Sequence, residues 1–379
     1  MTRLLPGPLA SLGLADLGAQ VDKLEDPAPG DYLRHMPPMC GDTGAIFEVL
    51  NRDKRSLVVD LKRPGAGPLL LRLVARYDVV LEGFRPGVLA RLGVSHEAML
   101  AANPGLIIVA ITGYGQSGPL AHRAGHDLNY LARAGVLGAT GPAGHAPAVS
   151  GAQMADVAGG AQWAISAVLA GVIARSQSGR GCVADIAMCE ASLPLGAFAL
   201  GAALGGAPLA RGESALDGGL AAYNTYLTAD GHAMSLGALE PKFWSAFALA
   251  LDLDPSLDAL VAGPHQVALK AAVAARFRAH DRAHWVAFAA AHDCCLEPVL
   301  GPDELADDPH HQARALFFSV GDDAPVTYFR TPLGPGPAAP HHRARPAGAD
   351  TRAVFAEAGF SAHEIDAAVA AGVLYEADP

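Results

Sequence analysis

Three residues in separate stretches carry side chains that could move a proton or attack a carbonyl. His126 stands beside Asp127 in "RAGHDLNYLARAG", directly after Gly125 and just before a run that reads as helix. A buried pair of titratable groups is unfavourable unless it is hydrogen-bonded or used, and a carboxylate near an imidazole raises its basicity. Taken singly, a loop histidine more often bonds a backbone carbonyl than serves as a base. Asp156 in "AQMADVAGGAQW" stands where an aspartate caps a helix N-terminus. Behind it, Ala158, Gly159, Gly160 and Ala161 leave the first turns bare, so a ligand carbonyl could approach the free N–H groups. A carboxylate beside such donors suits proton abstraction next to a carbonyl, or nucleophilic attack on an acyl carbon. Glu240 in "GALEPKFW" follows an apolar strand and precedes a proline, ordinarily a surface turn position. Spacing alone does not bring the three together.

A set of cations surrounds the first strand-like segments: Arg52, Lys54, Arg55 and Lys62, then Arg85 and Arg91 in "EGFRPGVLARLG". Each alone reads as part of a solvated rim; several at the mouth of one sheet would suit a phosphorylated ligand. The net charge of −11, with no long basic run, argues against nucleic acid as the partner. Residues 164–174 form an apolar run of 11, too short to span a bilayer. Five cysteines with no metal-ligand spacing indicate free thiols in a reducing compartment, the cytoplasm.

These side chains need a frame, and the first half of the chain supplies a β-α-β-α-β rhythm. "SLVVDL" (56–61), "DVVLEGF" (78–84) and "LIIVAIT" (106–112) read as strands, with "GAGPLLLRLVARY" and "HEAMLAANP" as the helices between them. Near-continuous apolar strands predict a parallel sheet covered on both faces. Ligands on such sheets sit beyond the C-terminal strand ends, where "GYGQSGP" (113–119) lies; it lacks the glycine spacing of a dinucleotide fingerprint. "CVADIAM" is a further strand candidate, and "YNTYLTADGHAMSLGAL" reads as a hairpin turning at Asp230-Gly231. The fold class is therefore α/β: a large Rossmann-like domain over 1–203 and 320–379, and a smaller α+β domain over 218–312. The Pro/His-rich "PLGPGPAAPHHRARPAG" reads as a surface linker, and Ser361 with Glu364 as a capping box opening the last helix.

The segments "NRDKRSLVVDLK", "DVVLEGFRPGVLARLG", "TGYGQSGP", "AGHDLNYLA", "ADVAGG", "SGRGCVADIAM" and "GALEPKFW" occur in the same order in the family III CoA-transferases, the CaiB/BaiF family. The resemblance covers nearly the whole chain. Within the family, Gly125, His126, Asp127, Asn129 and Tyr130, together with the 237–243 segment, are similar to the alpha-methylacyl-CoA racemases. Ala152, Asn224 and Asp26 depart from that pattern. The resemblance implies that His126 and Asp156 are the two acid/base residues, with Glu240 supporting His126. It also implies that an acyl-CoA thioester is held by the basic set with Gly125, Asp127 and Tyr130, and that no metal or redox cofactor takes part. Two alternatives stay open: a CoA-transferase in which Asp156 forms an acyl anhydride, and an inactive acyl-CoA-binding homologue. The resemblance further implies a homodimer interlocked like two rings, with 204–217 and 320–340 as crossing linkers. It implies too that a first central strand, which family members place before "LLPGPLAS", is missing here or reduced to a stub. A gap is then expected beside the 56–61 or the 106–112 strand.

Overall fold

The computed structural model describes residues 1–321, 325–334 and 340–377. The chain divides into two compact units: one of residues 1–131, 152–192 and 308–379, the other of 132–151 and 193–307. The second unit thus begins earlier than composition suggests, at Leu193, and takes in the segment after Leu131.

In the first unit, strand β1 (Val21–Glu25) pairs parallel with β2 (Lys54–Val59), and Leu374–Tyr375 closes the far side of β2 antiparallel. Strands β3 (Val79–Glu82), β4 (Ile107–Thr112) and β5 (Cys182–Ala187) form a second parallel sheet in that order. All six residues of β4 are buried, as a central strand covered on both faces requires. Helices Ala66–Val74 and His96–Ala102 make the crossovers, and Leu70, Leu73, Met99, Ile108 and Phe355 share one core. The helical run Ala155–Ser178 is longer than the apolar stretch that marks it. Its 24 residues are long and apolar enough to cross a membrane, but Ala164, Ile165, Val168 and Gly171 are buried within the unit.

β1 was not foreseen. Its sequence, VDKLE, is mostly charged, and the charges are paired inside the unit: Asp22 with Arg55 at 2.6 Å, Lys23 with Asp31 at 2.8 Å and Glu25 with Arg34 at 2.6 Å. The Pro/His-rich segment is likewise no mere linker. Residues 335–339 lie outside the described residues, but His341 bonds Asp53 at 2.7 Å, Arg343 bonds Glu48 at 3.1 Å, and Arg345 bonds Asp350 at 3.1 Å. The capping box of Ser361 and Glu364 forms as expected.

The second unit holds the hairpin β6 (Tyr223–Leu227) and β7 (Ala233–Gly237), extended by β8 (Leu296–Pro298) on the β7 edge. Gly231 takes φ +83° in the turn, a conformation glycine adopts freely. Its core is aromatic: Trp244, Phe247, Phe277 and Trp285 are fully buried.

No gap lies beside the 56–61 or the 106–112 strand, contrary to the expectation: β2 is flanked by β1 and Leu374–Tyr375, and β4 by β3 and β5. A cavity of about 730 Å³ lies between the free edges of β1 and β3, lined by Val21, Lys23, Val79, Leu81, Leu14 and Val168 among others. Met1 begins to bridge it. Its ammonium donates to the carbonyl of Leu81 at 2.9 Å, and the N–H of Gly83 donates to the carbonyl of Met1 at 3.3 Å, the hydrogen-bond pattern of a parallel pair. From the β1 side Lys23 donates to the carbonyl of Thr2 at 3.0 Å. A five-residue extension of alternating Val and Ala ahead of Met1 is expected to pair with both edges. It should raise the melting temperature by a few degrees over a Gly-Ser extension of equal length. Equal melting temperatures would show that the cavity does not take a strand.

Candidate active site

The loop beyond β4 is fixed first. Gly115 takes φ +86° and donates its N–H to Thr112 Oγ1 at 3.0 Å, and the N–H of Gln116 donates to Asp185 Oδ2 of β5 at 2.8 Å. Tyr114 and Tyr130 meet edge to face with ring centroids 5.2 Å apart. A Cβ on Gly113 would lie 2.3 Å from the Tyr130 ring, and one on Gly125 would lie 2.7 Å from it. Both positions therefore need glycine. The Tyr130 hydroxyl donates to the carbonyl of Gly125. Burial, then the Asp156 charge, pushes the phenol up to about 12.

His126 stands exposed at the end of this loop, immediately before helix Asp127–Arg133. Its N–H donates to Asn129 Oδ1 at 3.0 Å, and its carbonyl accepts from the N–H groups of Asn129 at 2.8 Å and Tyr130 at 3.2 Å. The Asn-Tyr that follows Gly-His-Asp is thus the brace of the histidine. Tyr130 is buried by that work and supports the loop that carries His126.

Asp156 is not a helix cap. Met154 holds that position, and Asp156 lies inside a π-helix, Ala155–Gln162, a rare form often found at functional sites. Its N–H is capped instead by Asp127, whose Oδ1 accepts from it at 3.0 Å. Burial first, then the Asp127 charge, raises the Asp156 carboxyl to about 6, against a lowering by His126. Gly159 and Gly160 do not open the backbone to a ligand. A Cβ on Gly159 would lie 2.5 Å from Ser192 Oγ, and one on Gly160 would lie 2.8 Å from Pro6 Cβ. Their smallness lets helices Met188–Ala191 and Pro6–Asp16 pack close.

The structure thus brings His126, Asp127 and Asp156 together at the C-terminal edge of one parallel sheet. Glu240 belongs to the second unit. It stands at the N-cap of helix Pro241–Ala250, and its charge acts on Cys295.

The cations divide by burial. Arg52 is fully buried, bonding Asp16 at 2.8 Å and Asp53 at 2.5 Å. Lys54 is buried too, donating to the carbonyls of Pro8 and Leu50 at 2.7 Å each and to Asn51 Oδ1 at 3.0 Å. Neither presents a donor to a phosphate, contrary to the expectation. Asp16, Asp53 and His341 offer ligand atoms close enough to hold a metal ion, but the Arg52 guanidinium lies among them, 3.3 Å from His341 Nδ1. Arg55 is engaged by Asp22 and Glu357 at 2.6 Å each. Lys62 is exposed beside Asp26 at 2.9 Å, and Arg85 and Arg91 are exposed. These three are the cations of the set that a ligand can reach, and Arg85 acts on the Tyr130 charge.

Sequence reasoning passed over Glu82 and His96. Buried Glu82, at the end of β3, accepts from the N–H of Phe84 at 2.7 Å and pairs with His96 Nε2 at 3.1 Å, which pins the loop carrying Arg85. The signal available was a glutamate closing an apolar strand before Gly83.

Residues 1–351 match CoA-transferase family III. The chain is 36% identical to an alpha-methylacyl-CoA racemase of Mus musculus over 365 residues, covering 96% of this chain and 92% of that protein. It is 33% identical over 259 residues to a succinyl-CoA:glutarate CoA-transferase of the same organism, covering 68% of this chain and 59% of the relative. The crystal structure of a CaiB/BaiF family protein from Brucella suis superposes with a TM-score of 0.81 at 27% identity, covering 94% of this chain and 97% of the other.

Asp16 would be raised by burial, but hydrogen bonds from Arg52 and Thr331 hold it below its ordinary value of 3.8. Its contribution to stability is therefore complete above that value and is lost as the pH falls through the lower folded one. Arg52→Ala strands this carboxylate and is expected to cost about 3–5 kcal/mol, read by urea denaturation. Lys62→Ala should change stability by less than about 1 kcal/mol. Equal small losses in both would return Arg52 to the surface set.

Proposed function

Because the chain belongs to CoA-transferase family III, we propose that it racemises the α-carbon of a 2-methylacyl-CoA thioester by proton transfer between two residues. The observation that carries this reading is the hydrogen bond that ties Asp156, whose carboxyl is raised to about 6 and which feels the His126 charge, to the turn that bears His126. The α-proton of a thioester is acidified by the carbonyl. One residue removes it, and the other returns a proton on the opposite face of the enolate. The pair works while it holds a single proton: neutral imidazole with protonated carboxyl, or imidazolium with carboxylate. A carboxyl raised to about 6 gives up and takes up a proton close to neutral pH.

Exposed Lys62, Arg85 and Arg91 are the groups we assign to the CoA phosphates. The chemistry uses side chains of the chain itself, with no metal or redox cofactor. We further propose a homodimer in which a second copy supplies Glu240 in support of His126. The apolar helix Ala197–Leu204 fits that reading: Phe198 is 77% and Leu204 is 81% exposed in the single chain. Five free cysteines fit a cytoplasmic location.

The transferase relative supports a second reading, in which ionised Asp156 attacks the thioester and CoA passes through an aspartyl anhydride to a carboxylic acid. Incubation of the protein with a chiral 2-methylacyl-CoA in deuterated water separates the two. Racemisation is expected to place deuterium at the α-position without an acceptor acid. The rate should fall as the pH drops below about 6, where Asp156 takes up a proton and no longer serves as a base. His126→Ala should abolish exchange. Deuterium that enters only with an acceptor acid present, or a His126→Ala variant that still exchanges, would overturn the racemase reading.

A further inference from the structure

Asp127 follows His126 directly, yet its side chain turns to a different partner. Its Oδ1 accepts the N–H of Asp156 at 3.0 Å, across 29 residues of sequence. That N–H lies in the first turn of the π-helix, where donors lack a carbonyl within the helix. Met154, at the N-cap, makes no side-chain cap bond. The cap therefore arrives from the element that carries His126.

The geometry has a mechanical side. His126 is fixed by its own N–H to Asn129 and by the N–H groups of Asn129 and Tyr130 on its carbonyl. Asp127 is the next residue of the same rigid turn. One hydrogen bond thus ties the backbone of Asp156 to the side chain of Asp127, one residue beyond His126. It also has an electrostatic side. The charges that act on Asp156 are those of Asp127 and His126, while Tyr130 faces them from the same helix and Arg85 faces Tyr130 from the loop after β3. Of the helices packed on the π-helix, Pro6–Asp16 brings Pro6 and Met188–Ala191 brings Met188 against its glycines. Both are uncharged; Glu190 is the acidic residue of the second helix. On β5, Asp185 is engaged by the N–H of Gln116.

We propose that Asp127 is a positioning residue for the proton-transfer pair: its carboxylate clasps the first turn of the Asp156 helix to the His126 loop and keeps a second negative charge beside the Asp156 carboxyl. The proposal rests on the reading of His126 and Asp156 as the two proton carriers. It gives the Asp127 side chain a role beside the ligand contact that the family resemblance implied for this residue. The nearby charge favours a proton on Asp156 in the same direction as burial, which is the larger influence.

Two variants separate the two sides. Asp127→Asn keeps an oxygen that can accept the Asp156 N–H but removes the charge, and Asp127→Ala removes both. In the free enzyme, a ¹³C NMR titration of the Asp156 carboxyl, assigned by its loss in Asp156→Asn, reads the charge without turnover. The apparent pKa is expected to fall by about one unit in both variants. Deuterium exchange into the 2-methylacyl-CoA reads the geometry. Asp127→Ala is expected to lose about tenfold or more at its pH optimum, and Asp127→Asn clearly less. The acid limb of the pH–rate curve should move to lower pH in both variants, a change that loss of a purely structural bond would not produce. An unshifted Asp156 titration in Asp127→Asn, or an Asp127→Ala variant as fast as the parent, overturns the proposal. If the parent protein exchanges no deuterium, the two-base reading fails instead, and the titration alone decides the role of Asp127.

Discussion

The hydrogen bond from the Asp156 N–H to the Asp127 carboxylate joins the two ends of the long connection between β4 and β5. The first emerges from β4 and carries His126. The second is the π-helix whose continuation, Trp163–Ser178, leads into β5. Parallel strands deliver their loops to a common edge, but they do not fix how those loops sit on each other. The packing around them fills in the rest. Gly113 and Gly125 admit the Tyr130 ring, Gly159 admits Ser192, and Gly160 admits Pro6. Each contact removes one freedom from a loop that carries a candidate proton carrier, as precise chemistry requires.

The same economy explains why the cations sort as they do. Around β2 a positive charge is as valuable inside as at the rim, because the buried carboxylates of Asp16, Glu25 and Asp31 need partners. A charge taken out of water is tolerated only when paired and hydrogen-bonded. Arg52 meets Asp16, Arg34 meets Glu25, and Lys23 meets Asp31. Lys54 meets only neutral oxygens, and burial holds its ammonium well below its ordinary pKa. A cluster of basic residues in sequence thus carries two populations, and alternation along β2 separates them. Lys54 and Ser56 point inward with their neighbours, while Arg55 reaches the edge.

Of the strands legible in the sequence, β2 to β4 carry apolar residues into the core; β5 is largely exposed, and the β6–β7 hairpin was marked by its Asp230-Gly231 turn. β1 was not legible because its burial is ionic, and no hydrophobic period marks a strand whose charges are satisfied by residues close in space. At the site, the residue types were legible and their duties were not. Asp156 reads as a cap because aspartates cap helices; the actual cap, Asp127, lies 29 residues away. Gly159 and Gly160 read as an open approach for a ligand, yet the approach is taken by neighbouring helices. Buried Glu82 and half-buried His96, the pair that holds the Arg85 loop, are marked in a single sequence only by a glutamate at the end of an apolar strand.

The raised carboxyl of Asp156 does not by itself choose between proton transfer and acyl transfer. Burial that disfavours the carboxylate makes it both a stronger base and a stronger nucleophile. His126 supplies the discrimination. An aspartyl anhydride forms and breaks at the acyl carbon, and it asks for one carboxylate and a place for the departing thiolate. Exchange at the α-carbon asks for two carriers that share one proton across the plane of an enolate. Under the proposed reading, a histidine whose backbone makes three hydrogen bonds, exposed and acting on the Asp156 charge, has no part in the first chemistry and is the second carrier in the second. That difference is the physical reason to read this edge of the sheet as a site where a proton, and not an acyl group, changes hands.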